Sequence, residues 1–162
     1  MRLEPVTEEH LPLLVELNAD PEVMRWLLGR PATPEETAAE WRQRLERQSD
    51  PARGLGYWAG FEDDAFLGWW SASSFAHDPS LAGLGYRLAR SAWGRGLATE
   101  GARAMVARAF AVPDVTRVGA TTRAANTGSR RVLSKAGLRH VDTDDGEVAY
   151  VLTREEWAAR DD

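Results

Sequence analysis

The apolar residues that follow Gly96 recur with the spacing of an amphipathic helix. They occupy positions i, i+3, i+4, i+7, i+8, i+11 and i+12, namely Ala98, Gly101, Ala102, Met105, Val106, Ala109 and Phe110. This period predicts one buried helical face, which Pro113 closes because proline does not continue a helix. Since Gly94 and Gly96 come just before the first apolar position, the pattern predicts a glycine-rich turn that leads directly into a buried helix.

The first fifty residues favour helices after a short strand at 2–6. Helices are predicted over 7–18, 20–28 and 33–48. Each of these segments opens with residues that start helices: a threonine, an aspartate followed by proline, and the capping box Thr-Pro-Glu-Glu. The amino-terminal part of the chain is therefore predicted to form a helical layer.

From residue 56 onward the pattern becomes typical of strands, with aromatic and β-branched residues. Strands are predicted at 56–61, 65–75, 81–88, 116–123, 138–142 and 147–152. Gly83 and Gly85 weaken the third of them as a regular strand, which predicts a bulge or the close approach of another backbone there. Asn126 is the predicted N-cap of a helix that ends at Gly137, and Thr153 opens a small capping box near the end of the chain.

Length and composition restrict the class of protein. The 162 residues fit one domain with a sizeable core. The absence of cysteine excludes disulfides and thiolate metal sites, and the three histidines lie far apart in sequence, so no metal is expected. The amino terminus lacks the apolar segment of a signal peptide, and no run of apolar residues reaches membrane-spanning length. We expect a soluble, cytoplasmic protein without a membrane partner.

Charge is distributed unevenly along the chain. The whole chain carries a net charge of −5, which argues against nucleic acid as a partner, but residues 87–139 contain eleven basic and only two acidic residues. A basic segment around a glycine-rich turn favours a polyanionic small ligand, although several of these arginines fit a solvated surface equally well. Acids elsewhere suggest that a cationic group also binds or, again, a solvated surface: Glu22, Glu35, Glu36, Asp144 and Asp145.

The turn before the long helix has the chemistry of an anion site. The first N–H groups of a helix have no acceptor within it, and the helix dipole adds partial positive charge there. Glycines let the backbone approach a phosphate, and Arg95 adds a cation. Two interpretations stay open: a diphosphate cradle, or a turn that only starts a core helix. A nucleotide-binding P-loop is excluded, because residues 93–100 contain no Gly-Lys followed by Ser or Thr.

Four motifs in this order resemble the GNAT superfamily of acetyl-CoA-dependent N-acetyltransferases, and more narrowly its branch of ribosomal-protein N-terminal acetyltransferases. They are Leu84–Leu88, Trp93–Glu100, Asn126–Ser129 and Arg131–Leu138. The resemblance covers nearly the whole chain and implies one GNAT domain over residues 1–162. It implies an α+β, three-layer α/β/α fold with a mixed, mostly antiparallel sheet and a bulged central strand. The implied reaction is direct transfer of acetyl from acetyl-CoA to a primary amine, of a small molecule or a protein N-terminus, and a homodimer is compatible with it.

The resemblance also assigns roles to individual residues. The backbone of Leu88 would pair with the pantetheine arm and its N–H would polarise the thioester carbonyl. Asn126 would bind the pantetheine amides, and Ser129 would protonate the leaving thiolate. The residues implied to bind acetyl-CoA are Leu88, Arg90, Arg95, Gly96, Leu97, Ala98, Thr99, Asn126, Ser129 and Arg131. Asn126 as a mere helix cap and Ser129 as a mere first-turn hydroxyl remain alternative interpretations.

Two positions depart from the superfamily pattern. Trp93 begins the turn where the general pattern has Arg or Gln, as is usual in the narrower branch, and Gly83 stands where many relatives carry a glutamate that relays the amine proton. The base is therefore open. His77 is a candidate catalytic residue, and the other candidates are Asp78, Glu100, Glu22 and Glu40. The missing glutamate supports one alternative function, a non-catalytic acyl-CoA-binding or sensory module.

Overall fold

The computed structural model describes residues 1–160 and contains one seven-stranded sheet with the strand order β1-β2-β3-β4-β5-β7-β6. The strands are β1 (Arg2–Pro5), β2 (Gly56–Glu62), β3 (Ala65–Ser74), β4 (Leu81–Leu88), β5 (Arg117–Arg123), β6 (Arg139–Asp144) and β7 (Glu147–Thr153). All neighbours are antiparallel except β4 and β5, which run parallel. The predicted mixed, mostly antiparallel sheet is confirmed.

Five α-helices accompany the sheet: α1 (Leu11–Asn18), α2 (Pro34–Arg47), α3 (Leu97–Phe110), α4 (Thr127–Ala136) and α5 (Arg154–Ala158). Short 3-10 helices occur at Glu8–His10, Pro51–Arg53 and Arg90–Ala92. The caps that the sequence predicts are present, because the side chains of Thr33, Asn126 and Thr153 each accept a hydrogen bond from the N–H three residues later. Within residues 1–160 no helix has the length and apolar character needed to cross a membrane.

Alternating side chains give the sheet two buried faces. On β2, Tyr57, Ala59 and Phe61 belong to a cluster with residues of α1 and α2, whereas Trp58 belongs to a second cluster with residues of α3 and α4. The same alternation sends Trp69 of β3 to the first cluster and its neighbour Trp70 to the second. The sheet therefore lies between two helical layers, and each layer covers a separate hydrophobic core.

Helix α3 approaches the sheet closely through Gly101. A Cβ at this position would overlap the indole of Trp70, a side chain that is fully buried. The Trp70 Nε1 donates to the carbonyl oxygen of Ala98 at 3.2 Å, so the ring is fixed under the first turn of the helix. Glycine is thus required at position 101 by packing, and this contact positions the amino terminus of α3 above the sheet.

One predicted helix is wrong. Residues 21–28 form consecutive turns and not a helix. Met24 N–H bonds to the Asp20 carbonyl four residues back, but Leu27 and Gly29 both bond to the Met24 carbonyl, three and five residues back. Asp20 Oδ1 accepts from the N–H of Glu22 as a helix N-cap does, but no single helical register continues after Met24, and Val23 and Met24 are buried against the core.

The predicted bulge in β4 is also misplaced. The β3–β4 ladder is regular from Gly68 opposite Leu88 to Ser74 opposite Ala82, and the irregular register lies between β2 and β3 at Gly60/Phe61. Gly83 and Gly85 serve close packing instead, because a Cβ at Gly83 would overlap Ser73 Oγ and a Cβ at Gly85 would lie 2.8 Å from Ser71 Oγ.

The two parallel strands separate partway along their length. They pair only from Leu81 opposite Arg117 to Gly83 opposite Gly119, although β4 continues to Leu88 and β5 to Arg123. The carboxyl halves of the two strands therefore leave an opening through the sheet. This opening joins the two helical layers and is the place where the candidate site lies.

Candidate active site

A cleft of about 940 Å³ occupies the opening between β4 and β5. Its walls are the carboxyl halves of the two strands, the amino termini of α3 and α4, and segment 22–27 between α1 and α2. The cleft thus extends from one helical layer to the other.

The amino terminus of α3 presents unpaired backbone donors to this cleft. Gly96 is the N-cap, with φ at +76° and no side chain capping the helix, and the i−4 bonding of α3 begins with Glu100 N–H to the Gly96 carbonyl. The N–H groups of Leu97, Ala98 and Thr99 precede that bond, and all three residues line the cleft. An added Cβ at Gly94 or Gly96 would meet nothing within 4 Å, so the surface in front of these donors is open to an anion.

The end of β4 exposes a further backbone donor. Ala89 N–H bonds to the Leu67 carbonyl of β3 at 2.8 Å. Because successive N–H groups of a strand point to opposite edges, the N–H of Leu88 points away from β3 and into the opening, where β5 no longer pairs. Trp93 Nε1 donates to the Leu88 carbonyl at 3.0 Å and fixes the end of the strand. Trp93, the first residue of the turn, therefore helps to position Leu88.

A pair of hydroxyl groups lines the same cleft. The Tyr86 hydroxyl is 2.9 Å from Ser129 Oγ and 3.1 Å from the Ser129 carbonyl oxygen. Burial raises the pKa of Tyr86 to about 12, so the phenol stays protonated at neutral pH. The sequence motifs indicated Ser129 but not its partner, because 43 residues separate the two and only the fold brings them together.

Asn126 and Arg131 reach the cleft on the α4 side. Asn126 Oδ1 accepts from Ser129 N–H at 3.2 Å, so its oxygen caps α4 and its amide nitrogen is the group available to a ligand. Both helix-cap and ligand-binding interpretations of Asn126 are therefore compatible with one geometry.

Three predicted site residues lie outside the cleft walls. Arg90 forms a bidentate ion pair with Asp20 and lowers the pKa of that carboxyl, and Arg95 Nη2 lies 2.6 Å from Glu62 Oε1, which lowers the pKa of Glu62. His77 is exposed in the turn before β4, at the opposite end of that strand from Leu88. The structure therefore brings neither arginine side chain nor His77 to the other predicted residues.

The sequence matches the acetyltransferase (GNAT) domain over residues 1–139. The chain belongs to the GNAT acetyltransferase family. This GNAT protein is 35% identical to an FsC-acetyl coenzyme A-N(2)-transacetylase of Aspergillus fumigatus, in an alignment that covers 97% of this chain and 75% of the relative. It is 34% identical to an aminoglycoside N(6')-acetyltransferase type 1 of Klebsiella pneumoniae over 52% of this chain and 43% of the relative.

Solved structures show the same fold. An aminoglycoside acetyltransferase in complex with coenzyme A has a TM-score of 0.80 and 23% identity, covering 99% of this chain and 98% of the other. A ribosomal L7/L12 alpha-N-protein acetyltransferase in complex with coenzyme A has a TM-score of 0.75 and 19% identity, covering 95% and 94%. Family membership confirms the predicted class, an N-acetyltransferase with acetyl-CoA as co-substrate. The narrower ribosomal-protein branch stays a prediction, because the likeness to that structure is no greater than to the aminoglycoside enzyme.

The opposite face of the GNAT cleft is built around a buried arginine. Arg87 is only 7% exposed, and its Nη1 donates to Asn18 Oδ1 at 2.8 Å and to Glu40 Oε1 at 3.0 Å. Burial lowers the pKa of Arg87, and Glu40 opposes that shift. The sequence does contain a signal for this network, because alternation along β4 places Arg87 on the face opposite Tyr86, where a charged side chain must enter a core.

The acids that suggested a cationic acceptor are mostly elsewhere. Glu22 lines the cleft, whereas Glu36 binds Arg30 and caps α2, which lowers its pKa to about 2. Asp144 and Asp145 lie at the turn between β6 and β7, outside the cleft walls. The described residues include no group of three or more metal-ligating side chains that could hold a metal ion.

Proposed function

We propose that this GNAT acetyltransferase holds acetyl-CoA in the cleft between β4 and β5 and transfers its acetyl group to a primary amine by direct attack in a ternary complex. The observation that carries the proposal is the opening between the two parallel strands, because it connects the α3–α4 layer with the α1–α2 layer. A donor bound on the α3–α4 side and an acceptor bound on the α1–α2 side would then meet within this opening. No covalent enzyme intermediate is then needed.

The donor side suits a diphosphate with an extended arm. The backbone N–H groups of Leu97, Ala98 and Thr99 would hold the diphosphate, with the glycines leaving room for it. Arg131 faces the same cleft, and Arg90 and Arg95 lie close in sequence as further charges once they leave their surface carboxylates. The amide nitrogen of Asn126 would donate to a carbonyl of the arm.

The catalytic groups of the donor side are Leu88 and Ser129. Acetyl-CoA supplies an activated acyl carbon when it is bound. The Leu88 N–H is placed to donate to the negative charge that develops on the acyl oxygen. Ser129 would give its hydroxyl proton to the departing thiolate and regain one from solvent, and the Tyr86 hydroxyl, 2.9 Å from Ser129 Oγ, would hold the serine hydroxyl in position.

The amine proton leaves on the acceptor side. Position 83 cannot supply a base, because Ser73 and Phe75 fill the space that a side chain there would need. Of the bases considered from the sequence, Glu22 lines the cleft, and Glu40 lies behind it in contact with Arg87. We assign proton removal to water leading toward Glu22, with no part for His77.

Acceptor-dependent release of the CoA thiol tests the proposal. The chain has no cysteine, so a thiol reagent reads only the CoA that the reaction liberates. Purified protein with acetyl-CoA and a panel of amino acids, peptides, polyamines and aminoglycosides should release thiol in proportion to N-acetylated product identified by mass. Binding of CoA with no release for any acceptor would support the non-catalytic alternative, which the transacetylase relative does not favour.

A further inference from the structure

We propose that the acceptor is an amine with a carboxylate next to it, and that Arg87 and Arg44 bind this carboxylate on the α1–α2 side of the cleft. The inference rests on the proposed acetyl transfer and specifies its acceptor class. The evidence is the charge, burial and incomplete hydrogen bonding of the side chains that form this side.

Arg87 places a positive charge next to the reacting atoms. It precedes Leu88 on β4, and its side chain points to the opposite face from Tyr86 and Leu88, toward the side where the amine enters. Its Nη1 makes both protein hydrogen bonds, to Asn18 and Glu40, and within residues 1–160 no hydrogen bond is made by Nη2 or Nε. Those two nitrogens are donors for a group that lies within a few bonds of the attacking amine.

Arg44 supplies a second, rigidly held guanidinium. Its Cζ lies 4.9 Å, 5.4 Å and 5.6 Å from the ring centroids of Trp69, Tyr57 and Trp41, and its Nη1 donates to the Tyr57 hydroxyl at 3.1 Å. The aromatic rings restrict the side chain, which lowers the entropy cost of binding a ligand. Arg44 lines the cleft together with Arg87.

Buried donors on this side lack acceptors. Trp69 is 3% exposed and lines the cleft, yet its Nε1 has no hydrogen-bond partner within residues 1–160, and the same holds for Nε of Arg44. Buried donors without acceptors are uncommon and cost free energy. Because protein atoms cover these two nitrogens, a carboxylate would bind at the uncovered guanidinium nitrogens of Arg87 and Arg44 and act on them through its charge, whereas a polyamine brings only more donors.

The charge balance of this side favours an anion. Glu40 lies 3.0 Å from Arg87 and 3.8 Å from Arg44, so one carboxylate is shared by two guanidinium groups and a net positive charge remains. The opposite charges of Arg25 and Glu22, which also line the cleft, cancel each other. A polycation would meet repulsion here, and a carboxylate would not.

Matched acceptors test the inference on the unmodified protein. Phenylalanine is compared with 2-phenylethylamine, and leucine with 3-methylbutylamine, since each pair differs only in the carboxylate. The kcat/KM values are expressed per neutral amine from pH profiles, because a carboxylate lowers the pKa of a neighbouring amine. We expect at least a tenfold preference for the carboxylated member.

Variants of Arg44 then test whether this side chain produces the preference for carboxylated amines. Arg44→Gln should lower kcat/KM for the amino acid at least tenfold and change kcat/KM for its decarboxylated partner less than threefold, and Arg44→Lys should restore part of the preference. Arg108→Gln is the matched control, because Arg108 also stacks on a tryptophan, Trp58 at 4.7 Å, but outside the cleft walls.

Two outcomes overturn the inference while leaving acetyl transfer intact. One is turnover of polyamines or decarboxylated amines at rates equal to or above those of the amino acids. The other is an equal loss for both members of a pair in Arg44→Gln. Binding of CoA with no thiol release for any amine would contradict the proposed function itself.

Discussion

At the scale of single residues, the hydrogen bond between Tyr86 and Ser129 is the contact with the clearest chemical consequence. It joins a hydroxyl that the sequence motifs indicated to a buried phenol that they did not. A serine hydroxyl held by a neighbouring buried hydroxyl is suited to deliver a proton to a leaving thiolate.

Removing the Ser129 hydroxyl should therefore slow catalysis more than binding. For Ser129→Ala we expect kcat to fall about 100-fold, in the range of general acid catalysis, with KM for acetyl-CoA changed less than about threefold. Tyr86→Phe keeps the ring and should lower kcat about tenfold. Steady-state kinetics with acetyl-CoA varied at saturating acceptor measures both, and an unchanged kcat in Ser129→Ala would contradict the assigned role.

The raised pKa of Tyr86 also predicts how stability changes at alkaline pH. The phenol has an ordinary pKa of 10.0 when the chain unfolds and about 12 in the folded protein. The unfolded state therefore loses its proton first, and the stability that the neutral phenol contributes is present below pH 10 and lost between pH 10 and 12. Urea unfolding at pH 9, 10 and 11 should show a steeper fall for the wild type than for Tyr86→Phe. If the free energy of unfolding fell equally with pH in the two proteins, the pKa of Tyr86 would not be raised in the folded state.

At the scale of elements, helix α3 depends on two glycines for different reasons. Gly101 is required by contact with Trp70, and Gly96 by its positive φ and the open surface before the helix. A substitution at Gly101 therefore tests the stability of the fold, whereas a substitution at Gly96 tests ligand binding.

Gly101→Ala should destabilise the protein by about 2 kcal/mol, because the added methyl group overlaps a fully buried indole that has no room to move. Gly128→Ala in α4 is the matched control, since its nearest neighbour would be Asn126 Oδ1 at 3.8 Å and alanine favours helices. Chemical denaturation compares the two variants. Equal stabilities would mean that α3 packs less closely on the sheet than the contact implies.

Gly96→Val should weaken CoA binding at least tenfold, because a branched side chain would cover the α3 donors. Its control is Gly54→Val, at a glycine with the same φ of +76° and the same open surroundings but outside the cleft walls. Both variants carry similar backbone strain, about 1–2 kcal/mol. Calorimetric titration with CoA separates them, and equal affinities would show that the α3 terminus does not hold the ligand.

The helices that could be predicted from the sequence are those with local signals. The capping residues Thr33 and Asn126 act on N–H groups three residues away, so their sequence context contains the whole interaction. The predictions that are wrong concern segments whose structure depends on contacts with residues distant in sequence. Segment 21–28 has a helix start but follows core packing, and the irregular strand pairing near Gly60 depends on β2 and β3 meeting their partners.

At the scale of the whole molecule, sequence motifs indicate the proposed donor side but not the proposed acceptor side. The donor residues of 93–100 and 126–131 lie in two short motifs, each beginning a helix. The acceptor side collects Asn18, Glu40, Arg44 and Arg87 from three elements, and no motif links them. Acidic residues counted along the chain therefore suggested a cationic acceptor, whereas the side chains that line this part of the cleft leave a positive charge.

The decisive measurement is a structure of the protein crystallised with acetyl-CoA. We expect the diphosphate on the N–H groups of Leu97 to Thr99, the arm between β4 and β5, and the thioester oxygen within hydrogen-bond distance of Leu88 N–H. We also expect the acetyl group to face the side of Arg87. Acetyl-CoA bound elsewhere, or bound in the cleft with its acetyl group turned away from Leu88, would contradict the account.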